Sequence, residues 1–583
     1  MNKKTESEIL LYMLENEYTS QRQIAEEIGC SLGMVNQCIR TMHENGILQS
    51  DDTVALDVKK YIEKNSPKQA IILAAGAGMR MVPINMEISK GMLEVKGEIL
   101  IERIIRQLQE AGIKKICIVV GFMKEQYEYL IDKYQVDLIV NREYATKNNL
   151  LSLACAEKYL DNAYIVPSDL WCKNNPFHRH EAYAWYMVRK EMSDKSDVVM
   201  NRKGELVRTK STEQGNEMVG IAYLDESAAK TVRTRLKAMT RERQYDHCFW
   251  EEALYDGKKM IVWGNIDYNN TIFEINTYEQ LRQIDSNSNQ LDSDIIRLIA
   301  DVFHVSPKEI YDIEVLKKGM TNRSFEFSCK GKKYIMRIPG EGTDYMINRK
   351  QEYQVYEAIK DKNICDKVYY MNPENGYKIT EFMEGVRVCD AENWQDVEQC
   401  MKFLKKFHQC NLKVEHEFDL FGQIEYYETL WNGQLSVYQD YEETKENVIS
   451  LKSYIQNQKK DWVLTHIDAV PDNFLMSENE IKLIDWEYAA MQDPHLDIAM
   501  FIIYSLYDRK QADHLIDLYF DHQCSAKTRK KIYCYIAAAG LLWSNWCEYK
   551  RQLGIEFGEY SLRQYRYAKD YYRLFKSLEG VEM

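Results

Sequence analysis

The sequence predicts a multidomain chain of three segments: a small all-α segment with a wing, an α/β segment built on a parallel sheet, and an α+β segment. Three observations carry this. Apolar residues recur every three or four positions over residues 5–66. The continuous run Ala70-Ile71-Ile72-Leu73 feeds a loop of small residues, Ala74-Ala75-Gly76-Ala77-Gly78. Far downstream, His466-Ile467-Asp468-Ala469-Val470-Pro471-Asp472-Asn473 precedes Ile484-Asp485-Trp486-Glu487. A chain of 583 residues has room for three to five domains at roughly 100 to 200 residues each. The boundaries are expected at 1–66, 67–287 and 288–583.

Composition narrows the function classes. A formal charge of -14, from 90 acidic and 76 basic residues, favours neither nucleic acid nor an anionic membrane as the main partner. Fourteen cysteines are scattered without a CxxC pair, and the start MNKKTESEIL lacks the apolar core of a signal peptide. A reduced cytoplasm is the expected compartment. The most apolar stretches, 498–506 and 536–543, fall far short of the roughly 20 residues of a membrane helix, so they are expected as buried helices.

In the first segment Ile9, Leu10, Met13 and Leu14, then Ile24, Ala25 and Ile28, then Val35, Ile39 and Met42 mark three short helices. Gly29 is placed to end the second and Ser31 to cap the third. Gly46-Ile47-Leu48 and Thr53-Val54-Ala55-Leu56 suggest a wing. The pattern resembles the winged helix-turn-helix of MarR-like regulators, which implies DNA reading by residues 32–43. Against that, residues 1–66 hold seven Lys or Arg and eleven Asp or Glu, and the candidate recognition helix offers only Arg40. Phosphate contacts supply most DNA affinity, so packing, dimerisation or ligand sensing is preferred to DNA binding, and a homodimer is compatible with it.

In the second segment a buried strand ends in a loop whose backbone N–H groups suit phosphates. Arg80 follows it directly, and Lys90 lies ten residues on. A strand at 115–120, a helix at 121–134 and strands at 136–140 and 163–166 are expected next. The last ends at Pro167-Ser168-Asp169, and the carboxyl end of a parallel strand is where an open α/β sheet places its chemistry. These residues closely resemble the α/β, Rossmann-like nucleotidyltransferase family over about 67–285. The resemblance implies that Leu73, Ala74, Ala75, Gly76, Gly78 and Arg80 cradle a nucleoside triphosphate and that Lys90 steadies its phosphates. It implies Mg2+ on Asp169 and at position 276, where the phosphocholine branch tends to have aspartate and this chain has Asn276, with Glu274 at hand to compensate. A substrate phosphate would then attack the α-phosphorus and expel pyrophosphate, with Arg80 and Lys90 neutralising the gathered charge. CTP as the nucleotide rests on the resemblance alone.

The third segment follows the polar stretch 284–290. A helix is expected at 292–302, then strands flanking a polar turn at 318–324 in which Asn322 would face nucleotide phosphates. A strand at 333–338 carries Arg337 where protein kinases place a phosphate-contacting lysine, and Glu352 on the following helix is its expected partner. Asp468 is the candidate for receiving the substrate hydroxyl proton, and Asn473 and Asp485 for holding magnesium beside ATP. Ile467 stands where protein kinases carry an arginine for activation-loop control. Asp493-Pro494-His495-Leu496-Asp497 follows with no room for a long activation segment, so a small-molecule acceptor is expected.

HxDxxPxN, IDWEYA and DPxxDIA resemble the choline and ethanolamine kinase family over about 292–580, and more loosely the aminoglycoside phosphotransferases. This implies an α+β, protein-kinase-like C-terminal domain. Trp543 and Trp546, one turn apart, would wall a trimethylammonium pocket, because aromatic faces suit a cation that cannot donate hydrogen bonds. Trp171 and Trp250 are candidates for a second cage in the transferase. The order of the two segments resembles the Lic-type enzymes of bacterial phosphocholine decoration: choline would become phosphocholine with ATP, then CDP-choline with CTP, for attachment to surface glycans. Two other readings remain: a sugar or amino-alcohol kinase fused to a sugar-1-phosphate or aminoalkyl-phosphate or phosphonate nucleotidyltransferase, and a transcriptional regulator whose catalytic domains sense ligands.

Overall fold

The computed structural model describes every residue except 1–2, 17–19, 210–213, 269, 317–321, 341–346, 479, 554 and 580–583. It divides into two compact units, Met1–Asp301 and Val302–Met583.

The first unit begins with helices Lys3–Glu15, Gln21–Ile28 and Leu32–Glu44, closed around buried Ile9, Ile24, Val35, Ile39 and Met42. Their ends follow from local chemistry. Ser20 and Ser31 accept hydrogen bonds from Gln23 N and Met34 N, each at 3.2 Å, and Gly29 stops the second helix at φ 69°, where a Cβ is unfavourable. The wing forms through an antiparallel bridge between Leu48 and Val54, and His43 Nε2 lies 2.6 Å from Asp52 Oδ1 at its tip. A fourth helix, Leu56–Asn65, was not expected; its N-cap, Ala55, makes no side-chain cap bond. The Tyr183 hydroxyl donates to Glu8 Oε1 at 3.0 Å, fastening the first helix to the transferase segment.

That segment is a ten-stranded sheet. Strands Asp137–Val140, Lys115–Val120, Gln69–Ala74 and Ala163–Pro167 run parallel in that order, with Ile71 in register with Cys117 and Ile165. Gly215–Leu224 then joins antiparallel to Ala163–Pro167. Ala70, Ile71 and Ile72 are wholly buried, because both sheet faces are covered. The helix expected at 121–134 is not formed as one element. Phe122 N donates to Ala75 O at 3.1 Å, Met123 sits at φ 49°, and only Leu130–Tyr134 is α-helical. A Cβ on Gly121 would lie 2.7 Å from the Tyr144 ring and 2.8 Å from Ala75 O, so this glycine permits a close approach to the phosphate-type loop rather than starting a helix.

The second unit opens on a five-stranded antiparallel sheet in the order Ile310–Val315, Asn322–Cys329, Lys332–Pro339, Lys378–Glu381, Val368–Met371. Helix Arg349–Ile359 follows its third strand. The rest is helical around short strand pairs, and the expected buried helices are His495–Tyr504 and Ala526–Gln552. Among the described residues no helix is long and apolar enough to cross a membrane.

Candidate active sites

In the first unit a cavity of about 820 Å³ opens beside the strand that ends at Ala74. Leu73, Gly76, Gly78, Arg80, Lys90, Asp169, Glu274, Asn276 and Trp250 all line it. Ala74 and Ala75 lie buried beneath. Gly78 adopts φ 59°, and a Cβ there would meet Lys90 Cγ at 2.8 Å; the missing side chain lets Lys90 cross the loop.

Lys90 Nζ donates to Asp169 Oδ2 at 3.0 Å and to Asn276 Oδ1 at 2.6 Å, and Arg80 Nη2 donates to the same Asn276 oxygen at 2.9 Å. Asn276 thus gathers the two cations. Its neutral amide holds them without adding a negative charge, although Lys90 is also paired with Asp169. Asp169 Oδ1 is buried and has no hydrogen-bond partner among the described residues. Burial and then Asp169 push the Glu274 carboxyl up. Burial also lifts Glu251, to about 7, although the Tyr186 hydroxyl donates to it at 2.9 Å.

Trp250 is buried against Tyr186, ring centroids 5.9 Å apart. Trp171 is not brought to the cavity: it packs on Phe273, and Lys96 Nζ and Arg103 Cζ lie 4.4 and 5.1 Å from its centroid. This chain's own cations therefore occupy that ring, and Trp171 is absent from the cavity lining among the described residues. Tyr186 and Glu251 were not singled out from sequence; the only signal was the pair Glu251-Glu252 after Trp250.

In the second unit a cavity of about 810 Å³ brings Asp468, Asn473, Asp485, Arg337, Trp543 and Trp546 together. The loop carrying Asp468 is strained at Ile467, whose φ of 71° is one that β-branched residues seldom adopt; Asp485, in the second motif, has φ 67°, which aspartate tolerates better. Asp497 holds it, accepting from His466 N at 3.0 Å and Ile467 N at 2.7 Å, while His408 Nε2 lies 2.9 Å from the same carboxylate. His466 Nε2 lies 3.0 Å from Ile484 O, tying the two motifs together. Burial holds the His466 imidazole down at about 4, so it is a neutral brace.

Burial and then Glu487 raise Asp468 to about 7, opposed by Asn473. The Asn473 amide donates to Asp468 O at 2.9 Å and Oδ2 at 3.2 Å, which turns its oxygen away for other use. Burial also raises Asp485, against Lys378 and Arg337.

Arg337 and Glu352 pair as expected. Both guanidinium ends donate to the Glu352 carboxylate, one at 3.0 Å, and one also reaches Gly376 O at 2.9 Å. Arg349 Nη1 donates to Glu352 at 2.9 Å and to Glu487 at 3.4 Å. Glu352 does not line the cavity and acts by holding Arg337. The turn at 317–321 and the Asn322 side chain lie outside the described residues.

At the other end Trp543 and Trp546 meet edge to face at 5.3 Å, Phe557 stands 5.0 Å from Trp546, and Tyr488 6.5 Å from Trp543. The sequence pattern placed neither Lys378 nor Glu487 in a role, yet both line this cavity. Glu487 was findable, two residues beyond Asp485.

Residues 313–560 match the Choline/ethanolamine kinase family, residues 70–219 the MobA-like NTP transferase domain, and residues 3–49 a winged helix-turn-helix DNA-binding family. The chain is 28% identical over 231 residues to a choline-phosphate cytidylyltransferase of Streptococcus pneumoniae, covering 37% of this chain and 96% of that one. It is 32% identical over 192 residues to a 2-aminoethylphosphonate cytidylyltransferase of Lancefieldella rimae, covering 32% of this chain and 78% of that one. It is also 25% identical over 260 residues to Protein LicA of Haemophilus influenzae, covering 42% of this chain and 96% of that one.

Proposed function

We propose that this chain, which belongs through its middle segment to the cytidylyltransferases of the NTP transferase family and through its C-terminal segment to the choline/ethanolamine kinases, activates choline in two steps. Asp468 takes the choline hydroxyl proton as the oxygen attacks the γ-phosphorus of ATP and ADP leaves. A phosphocholine oxygen then attacks the α-phosphorus of CTP, and pyrophosphate leaves across Arg80 and Lys90. The observation that carries this reading is the aromatic end of the kinase cavity, where Trp543 and Trp546 share one lining with Asp468. A fixed quaternary ammonium gains about 0.5 to 2 kcal/mol per aromatic face. The product would serve phosphocholine transfer to surface glycans.

Both sites fit magnesium. Asp169 offers a buried oxygen without a partner among the described residues. Asn473 and Asp485 offer oxygens in the kinase cavity. The kinase set combines carboxylate with amide oxygen and the transferase set offers a carboxylate oxygen, both suited to a hard cation that keeps several waters. Magnesium would supply charge neutralisation at the phosphates.

In this proposal Asp468, Arg80, Lys90, Asp169, Trp543 and Trp546 have the roles expected from the sequence, and their place in the two cavity linings supports it. Asn276 serves as the acceptor that positions Arg80 and Lys90. The winged helix is read as a packing or sensing element: the exposed Arg40 is paired with Glu44 at 2.9 Å, which leaves little charge for DNA.

A second reading gives the transferase an aminoalkyl phosphonate. The Lancefieldella relative favours it, as do Glu217, Glu251 and Glu252 in the cavity lining, which would accept hydrogen bonds from a primary ammonium. A kinase, however, makes C–O–P and not C–P bonds, so the fusion favours a phosphate ester. Comparing kcat/KM for phosphocholine, phosphoethanolamine and 2-aminoethylphosphonate with CTP decides between them. The kinase half is tested with choline, ethanolamine and sugars; turnover of a sugar with choline inert would overturn the proposal.

A further inference from the structure

Arg337 is heavily committed in the kinase cavity. Its two guanidinium ends are bound by Glu352 and Gly376 O, so its charge is answered within the protein. Directly opposite it in the antiparallel register, on the neighbouring strand, stands Lys378. Residues so paired project on the same face, with Cβ atoms roughly 5 Å apart. Lys378 is 6% exposed and lines the cavity with Asp485 and Thr380.

Its hydrogen-bond partner is the Tyr356 hydroxyl, and its Nζ lies 4.2 Å from the centroid of that ring. A phenol is a neutral partner. Burying an ammonium against one is expensive, and burial followed by the Arg337 charge pushes the amine down from its ordinary value. Nearby carboxylates do not remove that cost in the way Glu352 does for Arg337. A polyanion entering the cavity would. The compact ammonium on a flexible stem can leave Tyr356 and follow a phosphate, which a guanidinium held by a bidentate pair cannot do.

We propose that Lys378 is the cation that contacts the ATP phosphates in this cavity, with Arg337 and Glu352 forming the fixed frame beside it. This rests on the reading of the cavity as an ATP site. Nucleotide binding to the full chain with magnesium, measured by calorimetry using adenosine and the non-hydrolysable β,γ-imido analogue of ATP, separates phosphate contact from packing. Lys378→Met is expected to weaken the analogue about 10- to 100-fold, the range of a lost charged hydrogen bond, and to leave adenosine binding within about twofold. Lys378→Arg is expected to restore part of the loss, and the melting transition of the kinase unit, which contains Lys378, serves as the folding control. Unchanged affinity for the analogue, or equal losses for adenosine and the analogue, would overturn the proposal. Wild-type chain that binds neither nucleotide would instead refute the ATP site itself, and the proposal with it.

Discussion

Glu352→Gln tests the frame on which the kinase site is built. Glu352 is 1% exposed and receives both Arg337 and Arg349. Burial alone would raise its carboxyl, but Arg337, with Lys378 and Arg349, holds it at about 2 against an ordinary 4.5. A displacement of that size corresponds to about 3 kcal/mol of stability at neutral pH. The cost of breaking a buried ion pair from one side, about 3 to 5 kcal/mol, agrees. Because the folded value is depressed, the contribution is present above pH 4.5 and is lost as pH falls towards 2. Glutamine keeps the shape and removes the charge, taking from Arg337 its carboxylate partner and leaving Arg349 with Glu487.

In a unit of this size the loss should lower the melting temperature by roughly 5 to 8 °C. Differential scanning calorimetry of the full chain at pH 7 reads it as a shift of the kinase transition, with the transferase transition in place. The kinase KM for ATP should rise in parallel as Arg337 loses its anchor. A variant with unchanged melting and unchanged KM would refute the reasoning.

Three further perturbations separate the two chemistries. Asp468→Asn should cost the kinase at least about 100-fold in kcat while CTP-dependent pyrophosphate release is untouched; equal loss in both assays would mean global damage. Asp169→Ala should abolish pyrophosphate release yet spare phosphocholine formation in a coupled ADP assay. Trp543→Leu removes one aromatic wall and should raise the choline KM roughly 2- to 30-fold, the span of a single cation–π contact, with the KM for ATP unchanged.

Much of this was legible because it is written locally. Ser31 and Gly29 bound the third and second helices through neighbours one turn away, and the spacing of Asp468, Asn473 and Asp485 set them in one cavity. What escaped depends on partners distant in sequence. The stretch 121–134 has helical composition, but Phe122 N is bound by Ala75 O and the chain turns at Met123, whose φ is 49°. Trp171 looks like a cage wall until Lys96 and Arg103 are found on it. Asn276 looks like a weakened metal ligand, whereas its oxygen receives Arg80 and Lys90. Lys378 was invisible because only the strand register sets it opposite Arg337.

The account stands on one chain carrying choline through both steps. Purified full-length protein given choline, ATP, CTP and magnesium, followed by mass spectrometry over time, should show phosphocholine appearing and then CDP-choline, with pyrophosphate equal to the CDP-choline formed. Choline left unchanged while another alcohol is phosphorylated under the same conditions would contradict it.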